Sequence, residues 1–219
     1  MSIATLILGE SGTGKSTSLR NIDPSKVLLI QAVKKPLPFK SSNWKIATKE
    51  NPEGSIYISD KSQNIAAAME RTKKSIIVID DYQYTMSNEF MRRVLDKEIG
   101  NAAFQKYNEI AKFAWDIINL AGNLSDDKRV YILSHTQTDD TGHTKIKTIG
   151  KLLDEKITIE GLFSIVLRTQ LINSSYVMST KNSGNDTVKS PIGLFEDDHI
   201  DNDLDFIDQK ICEYYEITH

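Results

Sequence analysis

The chain has a single cysteine, Cys212, in 219 residues. It therefore has no pair for an internal disulfide and no thiolate cluster for a metal, which is the cysteine usage of a reducing compartment; cytoplasm is the expected location. Long apolar runs are missing too. The first run is a few residues long and gives way to glycines and charges, too short for a signal peptide or a membrane span, and nothing later is long enough to cross a bilayer. No membrane association is expected. Nor is there an excess of basic charge: 27 Lys and Arg against 30 Asp and Glu leave a net charge of −3. Any site for a polyanion must then be a local cluster of cations rather than a global field. Internal repeats, low-complexity tracts and Gly/Ser linkers are absent. A chain of this length accommodates one well-packed α/β domain and not two full ones.

Against these absences stands one dense motif. Gly9-Glu10-Ser11-Gly12-Thr13-Gly14-Lys15-Ser16, followed by Thr17, fits G-x-x-x-x-G-K-[ST] at every fixed position. The chemistry requires this spacing. The glycines let backbone N–H groups turn inward around a triphosphate, Lys15 reaches the β and γ oxygens, and Ser16 presents a hydroxyl to Mg²⁺. Residues 4–8 read as a buried strand running into the loop, and residues 16–21 as a helix whose positive end faces the same anion. A glycine-rich turn without a ligand is the weaker reading.

A second motif lies two βα units downstream. Residues 27–33 form the next inner strand. Residues 34–40 make a basic, proline-containing extended loop at that strand's carboxyl end, where ligands of open parallel sheets bind. Its lysines read as polyanion contacts or, somewhat better, as part of a solvated loop anchored by Phe39. Residues 55–58 form a short strand, and Asp60 is placed to cap the helix that carries Ile65, Ala68 and Met69. Residues 75–81, Ser-Ile-Ile-Val-Ile-Asp-Asp, have the form of a Walker B strand. Asp80 would hold Mg²⁺ opposite Ser16, and Asp81 would stand nearer the attacking water.

Beyond it, a helix over 86–97 carries Phe90, Met91, Val94 and Leu95 on one side and Arg92 and Arg93 on the other. The arginine pair fits a nucleic-acid backbone, a neighbouring subunit's nucleotide, or a solvated face. Tyr82 and Tyr84 either stack on bases or simply pack. The longest helix, 102–120, presents Ala103, Tyr107, Ile110, Ala111, Ala114, Ile117 and Ile118 as a core stripe. The strand over 129–134 ends in His135, where a residue sensing the γ-phosphate and a structural histidine are equally good readings. Residues 136–149 are polar and without helix or strand pattern, so a mobile loop is expected. Within 144–151, Lys145, Lys147 and Lys151 occur with no acid, the best local candidate for binding a phosphate backbone. Segments 162–168 and 175–180 flank Asn173-Ser174 as an antiparallel hairpin, followed by Lys181. The acidic stretch from Glu196 onward is expected mainly to solubilise a final helix over 206–215.

This order of parts resembles the RecA-like ATPase core. Asp80-Asp81-Tyr82-Gln83-Tyr84, Asn88-Glu89-Phe90-Met91-Arg92-Arg93 and Ser190-Pro191-Ile192-Gly193-Leu194-Phe195 look like bacteriophage P-loop ATPases of the Sak-type single-strand annealing group. The resemblance covers nearly the whole chain. It implies a three-layer α/β/α P-loop NTPase core over 1–195, with a mostly parallel central sheet and a C-terminal antiparallel hairpin. Residues 196–219 would follow as an acidic segment whose helix packs on or extends from the core. It also implies ATP and Mg²⁺ as cofactors, hydrolysis that is slow without DNA or assembly, single-stranded DNA binding, and a role in phage recombination or replication. A homo-oligomer with nucleotide at the subunit interface is expected, as is a phage or host single-strand DNA-binding protein as partner. Carried over by position, Gly9 to Thr17 bind the triphosphate, Ser16 and Asp80 hold Mg²⁺, and His135 senses the γ-phosphate. The loop 136–151 binds DNA, and Lys181 reaches the neighbouring subunit's nucleotide.

One departure bears on the chemistry. Gln31-Ala32-Val33-Lys34 stands where RecA-like recombinases have a catalytic glutamate, which leaves Asp81 as the substitute. Three rivals remain. A helicase-loader-like AAA ATPase would carry a helical lid with a sensing arginine, against which the hairpin speaks. A small-molecule kinase would carry an arginine-rich lid, and the loop after His135 has no arginine. A non-hydrolysing, nucleotide-gated binding module is favoured by the missing glutamate.

Overall fold

The computed structural model describes residues 1–96 and 101–217, with backbone alone for residues 101–103. Its centre is a nine-stranded sheet. The strands are β1 (Ile3–Gly9), β2 (Val27–Gln31), β3 (Ile56–Ile58), β4 (Ile76–Asp80), β5 (Arg129–Thr138), β6 (Thr144–Ile146), β7 (Ile165–Ile172), β8 (Ser175–Ser179) and β9 (His199–Asp201). In space they run β3-β2-β4-β5-β1-β7-β8-β9, with β6 paired to β5. From β3 to β7 all neighbours are parallel. The pairs β7–β8, β8–β9 and β5–β6 are antiparallel. The phosphate-loop strand β1 and the Asp80 strand β4 are thus separated by one strand, β5, and end at the same edge.

The inner strands read as unbroken apolar runs because both their faces are covered. On one face Leu6, Leu8, Ile30, Ile77, Ile79 and Ile132 meet α1 (Ser62–Arg71), α2 (Gln83–Arg92) and α3 (Asn101–Ala121). On the other, Ile7, Leu29, Val78, Leu133 and Leu167 meet Leu19 and the apolar side of α4 (Leu204–Tyr215). Three layers result, a mixed α/β core with a mostly parallel sheet and an antiparallel hairpin, as expected. The α3 stripe packs as its spacing predicts from Ile110 onward, with Ile110, Ala111, Ala114, Ile117 and Ile118 buried, but Tyr107, expected in the core, is exposed and lies against the Phe90 ring; the Ala103 side chain lies outside the described residues. In the β7–β8 turn, Asn173 (φ 49°) and Ser174 (φ 65°) are both left-handed, the backbone that a two-residue hairpin of matching twist requires.

Several expectations change. Residues 136–146 form a hairpin rather than a patternless mobile loop: β5 continues to Thr138, and β6 pairs back on it. Its strands are short and polar, so no apolar period announces them. Main-chain pairing, the Asp139 carboxylate accepting from the N–H of Thr141 (2.9 Å) and His143 (3.0 Å), and Glu160 accepting from the N–H of Ile146 (2.8 Å) hold it. Asp60 does not cap α1; it accepts from Asn88 Nδ2 and Arg92 Nη1, both at 2.7 Å. The helix expected over 86–97 starts earlier, at Gln83, and ends at Arg92, leaving Met91, Val94 and Leu95 exposed; its expected last residue, Lys97, lies outside the described residues.

The helix after the phosphate loop is only a 3₁₀ segment, Ser16–Asn21, which stops just short of Pro24. It covers too little of its face, and α4 supplies the rest. The acidic segment is accordingly built into the core: β9 extends the sheet, and α4 is held by Asp208. That carboxylate accepts from Arg129 Nε (3.0 Å), Arg129 Nη2 (2.9 Å) and Tyr131 Oη (2.6 Å), all three side chains being fully buried. Among the described residues no helix is long and apolar enough to cross a membrane.

Candidate functional site

The carboxyl edge of β1, β2, β4 and β5 gathers the groups the motifs single out. β1 ends at Gly9, which lies in register with His135 of β5; β2 ends at Gln31, in register with Asp80 of β4. Gly9 has no room for a side chain: a Cβ there would sit 2.0 Å from Thr169 Oγ1 and 2.6 Å from Thr13 Oγ1. Gly14 is left-handed (φ 98°), and a Cβ would meet Asn202 Nδ2 at 2.3 Å and Tyr176 Cδ1 at 2.9 Å. Thr13 and Thr169 share a hydroxyl hydrogen bond of 2.7 Å, and Asn202 Nδ2 donates to Gly14 O at 2.9 Å. The loop is therefore clamped from the side by β7, β8 and the β9–α4 junction. No hydrogen bond among the described residues draws on the backbone N–H of Gly12, Gly14, Lys15 or Ser16, so these donors are available to an anion.

Lys15 bends over the loop and donates to Gly9 O (2.9 Å) and Glu10 O (2.8 Å). Burial lowers its pKa to about 8, against the opposing pull of Asp81 and Asp80. The Ser16 hydroxyl donates to both oxygens of Asp80, at 2.8 and 3.0 Å. Asp80 is buried, and burial, reinforced by the adjacent Asp81 charge, raises its pKa despite Lys35, Ser16 and Lys15. Asp81 adopts a left-handed backbone (φ 60°), uncommon outside glycine though tolerated by Asp. That turn aims its carboxylate at His135 Nε2 (3.5 Å) and at Lys35 Nζ, with which it forms a short ion pair. Burial alone would raise the Asp81 pKa, but hydrogen bonds to His135 and Lys35 outweigh it and the net shift is downward. Gln83 accepts from the His135 N–H (3.2 Å), and the Tyr84 ring meets the imidazole edge-on at 6.4 Å.

Lys15, Ser16, Asp80, Asp81 and His135 are thus brought together from three strands. The donor set suits Mg²⁺ with a phosphate ligand. A hydroxyl and a carboxylate, both hard oxygen donors, face each other, and no group of three or more His, Cys, Asp or Glu among the described residues forms a cage that would hold a metal alone. The free N–H groups of the loop suit the triphosphate in the same way.

The other predicted residues lie elsewhere. Lys181 pairs with Asp198 (2.7 Å) and donates to Glu196 O (2.8 Å). Arg92 is held by Asp60 and Glu89, both at 2.7 Å, and Arg93 by Glu109 at 2.7 Å. Lys145 pairs with Asp154 (2.8 Å), and Lys151 approaches Glu155 (3.7 Å). The acids missing from 144–151 are thus supplied just downstream. Lys147 is exposed, and its N–H donates to His135 O at 2.8 Å, tying the β5–β6 hairpin to the edge.

Sequence reasoning missed Thr169, Tyr176, Asn202, Gln83 and the role of Lys35. Lys35 carried a signal, a cation in a loop at a strand's carboxyl end. Asn202 carried none, because only the fold brings it to a loop 188 residues away.

No family model matches the sequence, and no curated protein matches it. Among solved structures the chain is similar to the Legionella pneumophila ATPase DotB, with 14% sequence identity and a TM-score of 0.39. That match covers 83% of this chain and 46% of the other, so the chain spans less than half of that neighbour's length.

Proposed function

We propose that this protein binds ATP with Mg²⁺ in the phosphate loop, hydrolyses it, and couples its nucleotide state to single-stranded DNA binding. The observation that carries the nucleotide site is the contact of Ser16 Oγ with Asp80 at 2.8 Å, which joins residues 64 positions apart beside the free N–H groups of the loop. Ser16 and Asp80 would hold Mg²⁺, which supplies charge neutralisation at the phosphate oxygens. Lys15 binds the β and γ oxygens, giving up its bonds to Gly9 O and Glu10 O to do so. Backbone N–H groups of the loop orient the chain of phosphates, and this fixed donor array is what stabilises charge during in-line attack by water. Asp81 orients that water, and His135 holds Asp81 in place.

The DNA-binding, recombination and phage-annealing parts of the reading rest on the resemblance to RecA-like phage ATPases. So does assembly into a homo-oligomer in which Lys181 of one subunit completes the next subunit's site. Lys145, Lys147 and Lys151, on and after the β5–β6 hairpin, are the proposed DNA contacts. A second reading, a nucleotide-gated module without hydrolysis, is favoured by the end of β2. There Gln31 donates through Nε2 to Lys35 O (3.1 Å), and a cation rather than a carboxylate reaches the site.

Titration with ATP and Mg²⁺, followed by ATPase assays with and without single-stranded DNA, tests the proposal. Tight ATP binding lost in Lys15→Ala and hydrolysis stimulated by DNA are expected. Binding without hydrolysis under either condition establishes the module, and failure of the wild-type protein to bind ATP overturns both readings.

A further inference from the structure

Lys35 is the cation at this edge that neither motif assigns. Its ammonium forms an ion pair with Asp81 and lies 3.8 Å from Asp80 Oδ2. The same Asp80 oxygen accepts from Ser16 Oγ at 2.8 Å. Ser16 and Lys35 therefore approach one carboxylate oxygen, the first from the phosphate loop and the second from the segment after β2. The backbone of Lys35 is anchored: Gln31 Nε2 holds its carbonyl, and the Ala32 N–H donates to Asp80 O at 3.2 Å. Among the described residues the side chain is held only at its tip, by the ion pair with Asp81. It is 37% exposed, whereas the side chains of the carboxylates it meets are 1% and 6% exposed. Lys35 is thus partly open to solvent on a flexible four-carbon stem, beside the Asp80 oxygen that Ser16 also contacts. Its partner Asp81 occupies an uncommon backbone region to meet it there, the kind of local cost retained at sites that switch.

We propose that Lys35 reads the terminal phosphate: with a nucleoside diphosphate it stays on Asp81, and with a triphosphate it turns to the γ-phosphate and releases Asp81. This rests on the nucleotide site proposed above. It makes Lys35 a determinant of triphosphate over diphosphate preference within the same subunit, directly after residues 31–34, which lack a carboxylate. Release of Asp81 leaves that carboxylate with His135 alone, so one movement reports the third phosphate and frees the group that orients water. The two contacts compete for one ammonium, so weakening the Lys35–Asp81 pair should strengthen triphosphate binding.

The test is the ratio of affinities for a non-hydrolysable ATP analogue and for ADP, at fixed Mg²⁺, by calorimetric titration. In Lys35→Gln the analogue should weaken about 10- to 100-fold, the loss of one charge-assisted contact, while ADP changes less than about threefold. Asp81→Asn, which frees Lys35, should tighten the analogue and leave ADP unchanged. Because Lys35→Gln leaves two buried carboxylates less compensated, the double variant Lys35→Gln/Asp81→Asn provides a balanced background. There the ratio should fall relative to Asp81→Asn by at least as much. Lys35→Arg, which keeps the charge, should restore most of the preference. An unchanged ratio in both Lys35→Gln and the double variant overturns the proposal. Absence of binding of either nucleotide to the wild-type protein would instead overturn the nucleotide site itself.

Discussion

Two groups of cations on this molecule look alike in sequence and differ in what the fold makes of them. Lys15 and Lys35 gather from β1 and β2 at one sheet edge beside two adjacent buried carboxylates, Asp80 and Asp81: Lys35 pairs with them directly, while Lys15 donates to the carbonyls of Gly9 and Glu10 and feels the charge of both acids. Arg92, Arg93, Lys145 and Lys151 meet acids outside that edge, each of them partly or largely exposed. In the first group the acids are removed from water, so their interactions with the cations are strong and mutually dependent. In the second, water screens each pair and the cations remain available for exchange. A cluster of basic letters is therefore a poor guide to a site, whereas convergence on a buried acid is a good one.

That contrast can be broken or sharpened by measurement, beginning with the largest effect. Arg129→Leu leaves Asp208 buried with Tyr131 but without its guanidinium. A loss of about 3–5 kcal/mol is expected, read as a large fall in the thermal or denaturant midpoint. Next, Lys15→Ala should weaken ATP binding about a hundredfold, the equivalent of ~3 kcal/mol, with little change in melting. Unaltered ATP affinity in that variant would sink the reading of the loop.

The pH dependence follows from the depressed pKa of Lys15, about 8 against an ordinary 10.5. Between these values the unfolded chain holds a proton that the folded one has released, so this group makes stability rise with pH across that window. A bound triphosphate restores the charge. Calorimetry in buffers of different ionisation enthalpy should show ATP binding taking up close to one proton near about pH 9. The same uptake should vanish at about pH 6.5 and in Lys15→Gln.

Smaller effects belong to the surface group. Replacing Lys145, Lys147 and Lys151 together should lower the slope of log affinity against log salt by about 2 for single-stranded DNA; an unchanged slope would remove these residues from the proposed interface. Arg92→Ala should cost under about 1 kcal/mol in stability. A loss of several kcal/mol there would mean that the exposed pairs are as tightly coupled as the buried ones, and the comparison would fail.

The phosphate loop, the β4 strand ending in Asp80-Asp81, the α3 stripe and the β7–β8 hairpin were legible because each rests on short-range chemistry. Glycine spacing, β-branched runs, a 3.6-residue period and a turn of two left-handed residues are all local. The β5–β6 hairpin was not legible, since its polar strands are held by main-chain pairing and by a distant Glu160. The same holds for Asp60, whose spacing suits a helix cap but whose carboxylate finds Asn88 and Arg92 instead. Asp80 and Ser16 could be matched by motif; that Lys35 would lie against Asp80 could not.

By itself the sequence determined that a glycine-rich loop of phosphate-binding spacing would open a mostly parallel α/β core, that two acids would end another inner strand, and that no internal disulfide could form. Those are consequences of residue type and spacing within a few turns of chain. Only the tertiary structure decided that the short 3₁₀ segment after the loop would need α4 to cover its face, that Asn202 and Thr169 would clamp the cradle, and that Lys35 would occupy the acid edge. Each of these depends on which strand lies beside which, and strand order is set by packing both faces of the sheet at once.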